Sequence, residues 1–122
     1  MADFAASDVT VTINKQTILK GSPGGLRFNR CRVQFGDAAL TYNTGGVPLP
    51  TYPKFGMMQR VDDILIVQNG IATIKYLWTY DPVNHKLIGV EEVAATEATA
   101  LAEIADATAI AAQSLYVLAI GW

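Results

Sequence analysis

With 122 residues, 51% of them hydrophobic and 16% charged, the chain has room for one domain and one core. A net charge of −2 with a pI near 5.2 argues against a phosphate-backbone binder, and a single cysteine excludes an intrachain disulfide. No run approaches the eighteen apolar residues of a membrane-spanning helix, and MADFAASDV lacks the basic and apolar regions of a signal peptide.

The charged share lies well below the roughly 25% of an ordinary soluble domain. Part of the surface is therefore expected to be buried in an assembly, the alternative being a neutral surface rich in Ala, Thr and Gly. Charge is also uneven along the chain. Residues 1–60 hold seven Lys/Arg against three Asp/Glu, and residues 61–122 hold two against eight. Such polarity can steer head-to-tail or subunit-to-lattice docking.

In chain order, residues 9–13 alternate β-branched apolar and polar side chains, which predicts a half-buried strand. Asn14 and Lys15 read as a turn, residues 17–20 as a short returning strand, and 21–25 as a glycine-rich loop. Residues 26–35 read as a longer strand. Arg27, Arg30 and Arg32 are its only basic cluster and are expected as strand-end charges. Cys31 between them is expected to be a small buried thiol, in keeping with a reducing cytoplasm. Residues 39–42 read as one more short strand.

Residues 36–58, GDAALTYNTGGVPLPTYPKFGMM, carry four glycines, three prolines and only two charges, Asp37 and Lys54. Pro48, Pro50 and Pro53 each remove a backbone donor, so no sheet or helix is expected to run through the segment. Yet Val47, Leu49, Tyr52, Phe55, Met57 and Met58 need cover, and a long irregular segment with such side chains is usually functional. Val47, Leu49, Tyr52, Phe55 and Met57 are therefore the candidate interface residues, docking against a neighbouring chain. The rival arrangement is a plug that folds over one end of its own domain.

Residues 61–67 and 71–80 read as strands joined by Gln68, Asn69 and Gly70, with the Asn-Gly hairpin signal. In the second, Ala72, Ile74, Tyr76, Trp78 and Tyr80 form the apolar face. Residues 81–84 are a turn and 85–90 a third strand, giving a three-stranded antiparallel meander over 61–90. The alanine-rich stretch 91–113 suits a helix with Leu101, Ile104 and Ala105 on one face, while its threonines favour an extended arm. Residues 114–120 are a final apolar strand, and Trp122 is expected to pack down. The whole predicts an all-β domain: a small antiparallel β-sandwich or barrel with long irregular loops, the short helix in 91–113 left open.

Catalytic chemistry is hard to write from these residues. His85, the only histidine, sits at a turn and is expected to face solvent. No zinc spacing, nucleophile elbow, phosphate loop or dinucleotide fingerprint occurs, so no catalytic, cofactor or metal residue is assigned. Asp62 and Asp63 are adjacent, so a strand sends them to opposite faces; a glycosidase dyad would need distant carboxylates. The expectation is a protein that is not an enzyme.

The motifs FGD (35–37), TYNTGGVPLP (41–50), FGM (55–57), KYLWTYD (75–81), NHKL (84–87) and LYVLAIGW (115–122) span most of the chain. Together they resemble a group of small tailed-bacteriophage virion proteins, the capsid decoration or cement proteins. The resemblance implies a β-rich fold, synthesis in the host cytoplasm, a place on the capsid exterior and the major capsid protein as partner. The excess apolar surface and polarised charge suggest a homo-oligomer, for which the resemblance favours a trimer, and neither nucleic acid nor membrane is expected as a partner. A tail-tube, tail-tip or head-completion protein is the alternative within the class. Outside it stands a carbohydrate- or ligand-binding β-domain using Tyr76, Trp78 and Tyr80 as a platform, against which the same aromatics read as core.

Overall fold

The computed structural model describes residues 3–18, 25–69, 76–92 and 101–122. Two antiparallel sheets pack on one shared core. The first holds β1 (Thr10–Ile18), β2 (Arg27–Phe35), β8 (Gln113–Gly121) and β4 (Val61–Asn69), in that order. The second sets β6 (Lys86–Glu92) between β5 (Leu77–Asp81) and the short β3 (Val47–Pro48), with β7 (Leu101–Glu103) also paired to β6. Two 3-10 helices, Ala6–Asp8 and Tyr52–Phe55, complete the described elements.

Strand alternation places the core. On β2, Asn29, Cys31, Val33 and Phe35 face inward, and on β8 so do Leu115, Val117 and Ala119. From the second sheet Trp78 and Leu87 meet them, with Ile104 beyond β7. Trp78 is the hub of this layer. Its ring lies 4.9 Å from Phe35 in an edge-to-face contact, 6.0 Å from Tyr76 and 6.3 Å from Tyr42. Its Nε1–H donates to Gln113 Oε1 at 3.3 Å, which satisfies two buried polar groups at once. Tyr42 pins the segment before β3 to the second sheet: its hydroxyl donates to Glu103 Oε1 at 2.7 Å and accepts from the Gly89 amide.

The all-β architecture agrees with the sequence pattern, whereas several local expectations are overturned. Asn14 and Lys15 form no turn. A bulge between Ile13 and Lys15 lets β1 continue to Ile18 in register with β2. Residues 39–42 make only isolated bridges at Thr41, to Asp3 and Ala109. The Asp37 carboxylate accepts from the Ala39 and Leu40 amides and so competes with a ladder there. Arg30 and Arg32 stand mid-strand on β2, pointing outward, rather than at a strand end.

The described parts of the 61–90 meander fall in two sheets: β4 pairs with β8, while β5 and β6 form a hairpin in the other. Gln68 and Asn69, expected in the turn, instead finish β4 opposite Tyr116 and Leu115, because ladder pairing with β8 extends past the apolar run, while Gly70 and residues 71–75 lie outside the described residues. In 91–113 the described parts hold no helix. Glu91 and Glu92 finish β6, and Leu101–Glu103 pair beside them, so partner hydrogen bonds override alanine propensity. The loop 21–25 is described only at Gly25.

Cys31 is fully buried, as expected, and burial pushes its thiol up to about 11. Because its ordinary value is 9.0, the unfolded chain loses this proton first as pH rises. Stability is therefore expected to hold below pH 9.0 and to fall as pH climbs toward about 11. Urea midpoints across that window check this, and Cys31→Ala should flatten the first part of the decline. In the native protein the thiol should stay unreactive to iodoacetamide until the chain unfolds.

Candidate functional site

The glycine- and proline-rich segment closes one end of the sandwich. Gly46, at φ 119°, lets the backbone pass so close to β6 that a Cβ would sit 2.7 Å from the Leu87 carbonyl oxygen. Val47 and Pro48 then pair with Leu87 and Lys86, and the Leu49 amide donates to the His85 carbonyl. The Tyr52–Phe55 helix turns the chain, with Pro53 near its start, and Gly56 ends it in the left-handed region at φ 79°.

Polar side chains from β2 hold this end down. Asn29 Nδ2 donates to the Phe55 carbonyl at 2.7 Å, and Arg27 Nη1 to the Gly56 carbonyl at 3.1 Å. Beyond them the Trp122 carbonyl accepts from the Met58 and Gln59 amides at 2.8 and 2.6 Å. Each contact satisfies a donor or acceptor that the prolines and the irregular path would otherwise leave unpaired.

This arrangement corrects the assignment of interface residues. Val47 and Phe55 are fully buried, and Leu49 and Met57 are nearly so, within the chain's own core. They form the intramolecular plug. Tyr52, 41% exposed, is the one candidate of the five that presents substantial surface. The physical reason is that two β6 hydrogen-bonding positions and the open mouth of the core offer closer cover than a second chain. The prolines, by restricting the unfolded segment, also lower the cost of ordering it.

His85 organises the plug instead of facing solvent as the turn position predicts. It occupies the left-handed region at φ 55°, just after the Asp81-capped turn in which Asp81 Oδ1 accepts from the Val83 amide. Its Nε2–H donates to the Pro50 carbonyl at 2.6 Å, which leaves Nδ1 to accept from the Tyr80 hydroxyl at 2.7 Å. The ring also stands edge-on to Phe55 and to Tyr80. The imidazole thus clips the plug to the β5–β6 hairpin. His85→Ala should cost about 1–3 kcal/mol through the unpaired Pro50 and Tyr80 groups. Urea unfolding measures this, and His85→Gln should recover part of the loss.

Outside the clip lies an open cleft of about 230 Å³, lined by Tyr52, Tyr80, Pro82, His85, Arg60 and Val61 among others. Burial first, then the charges of Asp63, Asp81 and Asp62, push the Tyr80 phenol up to about 12, so it stays a donor. At its rim Arg60 pairs with Asp62 at 2.7 Å and lies 5.6 Å from the Trp122 ring centroid. Trp122 Nε1–H in turn donates to Asp62 Oδ2 at 2.9 Å. Sequence reasoning missed this trio because Trp122 is brought to Arg60 and Asp62 only by the pairing of β4 with β8. The available signals were Trp122 itself and the left-handed preference of the Asn84-His85 pair.

Other sequence candidates resolve differently. Tyr76 and Trp78 are buried, so they supply no exposed aromatic platform, and only Tyr80 reaches the cleft. Among the described residues, no group of three or more His, Cys, Asp or Glu could hold a metal ion. Comparison with protein-family models, with curated proteins and with solved structures finds no match.

Proposed function

We propose that this chain is a non-enzymatic structural protein of a tailed-phage particle: a decoration or cement protein that binds the major capsid protein on the head exterior. The observation that carries this reading is the exposed end of the sandwich at Tyr52, Tyr80, Arg60 and Trp122. Tyr, Trp and Arg are the side chains that dominate the energetics of protein–protein interfaces, and here Tyr52, Tyr80 and Arg60 line one open cleft while Trp122 stacks on Arg60. Met58, 70% exposed, and Val83, 87% exposed, add apolar surface. The low charge content and the resemblance carried by TYNTGGVPLP and LYVLAIGW support the same reading.

In that role the plug gives the docking end a rigid base, since its core is closed by the chain itself. Bridging of capsomer boundaries raises the free energy of separating them, and repetition over the shell multiplies a modest contribution per site. Synthesis takes place in the host cytoplasm, and the chain acts as an oligomer.

Mass spectrometry and cryo-electron microscopy of particles containing this chain test the proposal. Density on the head exterior, with the Tyr52 cleft against the capsid surface, is expected. Density confined to the tail or neck, or absence from particles, would overturn it.

A further inference from the structure

The outer face of the first sheet carries a second arrangement, which shares with the cleft only the charge of Asp63. Down its centre, on β8, the outward side chains Tyr116, Leu118 and Ile120 form an apolar stripe. On β2, to one side, Arg30 and Arg32 point the same way, each guanidinium 5.8 Å from the Tyr116 ring centroid. On β4, to the other side, Asp63 stands opposite Ile120, and Leu65, 48% exposed, opposite Leu118. None of these side chains belongs to the shared core. Across the strands the face therefore runs basic, apolar, acidic.

That order matches itself under a particular rotation. A two-fold axis along β8 lays the apolar stripe of one copy on that of the other. It also sets each arginine flank over the opposite Asp63 flank. An axis across the strands instead places arginine against arginine, which is repulsive. We propose that two copies of this chain associate through this face as an isologous dimer.

Two further observations favour the face over the sheet edges. Both edge strands are bulged, β1 between Ile13 and Lys15 and β4 at Val61/Asp63 and Ile66/Gln68, which disrupts edge-to-edge pairing. A face of four nine-residue strands measures roughly 19 by 30 Å. Two such faces bury on the order of 1,100 Å², near the lower end of specific interfaces. The dimer goes beyond the capsid reading and does not depend on it, and its two-fold order replaces the trimer implied by the resemblance.

Sedimentation of the full chain across the micromolar range tests this, with circular dichroism first establishing that every variant is folded. The wild-type chain should show a reversible monomer–dimer equilibrium that weakens with added salt. Arg30→Glu and Asp63→Arg should each raise the dimer dissociation constant about tenfold or more, because each sets like charges together. The doubly reversed chain should recover much of the lost affinity, since positions 30 and 63 then carry opposite charges again while Arg32 is unchanged. Should a charge reversal perturb folding, Arg30→Gln and Asp63→Asn should each weaken the dimer in the same direction. A wild-type chain that stays monomeric, a trimer unmoved by either reversal, or failure of the double variant to recover would each overturn the proposal.

Discussion

Replacing Phe55 by Ala should destabilise the domain by about 3–5 kcal/mol, the range for emptying a buried aromatic site. Phe55 is fully buried in the plug, its ring stands 5.8 Å from His85, and its carbonyl accepts from Asn29. The plug is short and irregular, so little can collapse into the space left behind. The melting temperature should fall by on the order of 10–20 °C for a domain of this size. Leu49→Ser should lower it as well, because it places a hydroxyl where Leu49 is 4% exposed. Tyr52→Ser provides the contrast. It should leave thermal unfolding nearly unchanged and weaken capsid binding, because Tyr52 is 41% exposed and faces the cleft. Differential scanning calorimetry beside a shell-binding assay separates these outcomes. If Phe55→Ala melts like the wild type, the plug contributes nothing to the core.

Trp78→Ala should be at least as damaging, at about 3–5 kcal/mol for the ring, with a further cost for leaving Gln113 Oε1 without its donor. Trp78 contacts Phe35, Tyr42 and Tyr76 and donates to Gln113, so both sheets lean on it. Trp78→Phe should retain much of the packing and lose the hydrogen bond, placing it between the wild type and Ala. Urea denaturation gives the order. Fluorescence adds an independent readout, because the chain has only two tryptophans and Trp78→Phe leaves Trp122 as the sole emitter. Emission from that variant should be red-shifted relative to wild type, reporting the more exposed Trp122. Equal stability of all three chains would contradict the position of Trp78 as the hub.

The candidate site was legible in part. Composition singled out residues 36–58 as a segment needing cover, and the structure covers Val47, Leu49, Phe55 and Met57 while leaving Tyr52 and Met58 exposed. What the residue list could not supply was the source of that cover. Val47 and Phe55 are apolar whichever surface receives them, and only the path from Gly46 along β6 decides that the receiver is the chain's own core. His85 shows the same division. Its place after an Asp-capped turn was readable, but the Pro50 carbonyl and the Tyr80 hydroxyl that fix its tautomer come from separate elements.

Sequence alone determined which face of β2 and β5 turns inward. Whereas 113–121 is apolar on both faces and only packing chose between them, the period-2 alternation of 27–35 and 76–80 states it directly, because neighbouring side chains on a strand must point to opposite sides. It also determined the all-β class and the Asp81 turn, both set by local backbone preference. Tertiary structure alone decided which strands are neighbours. Alternation marks a face and leaves the hydrogen-bonding edge unassigned, so β4 could have continued into a meander with β5 and instead pairs with β8, far along the chain. The same non-local choice drew Leu101–Glu103 out of an alanine-rich, helix-prone stretch to complete the ladder on β6. Backbone groups that must be paired when buried outweigh the few tenths of a kcal/mol per residue that propensity contributes.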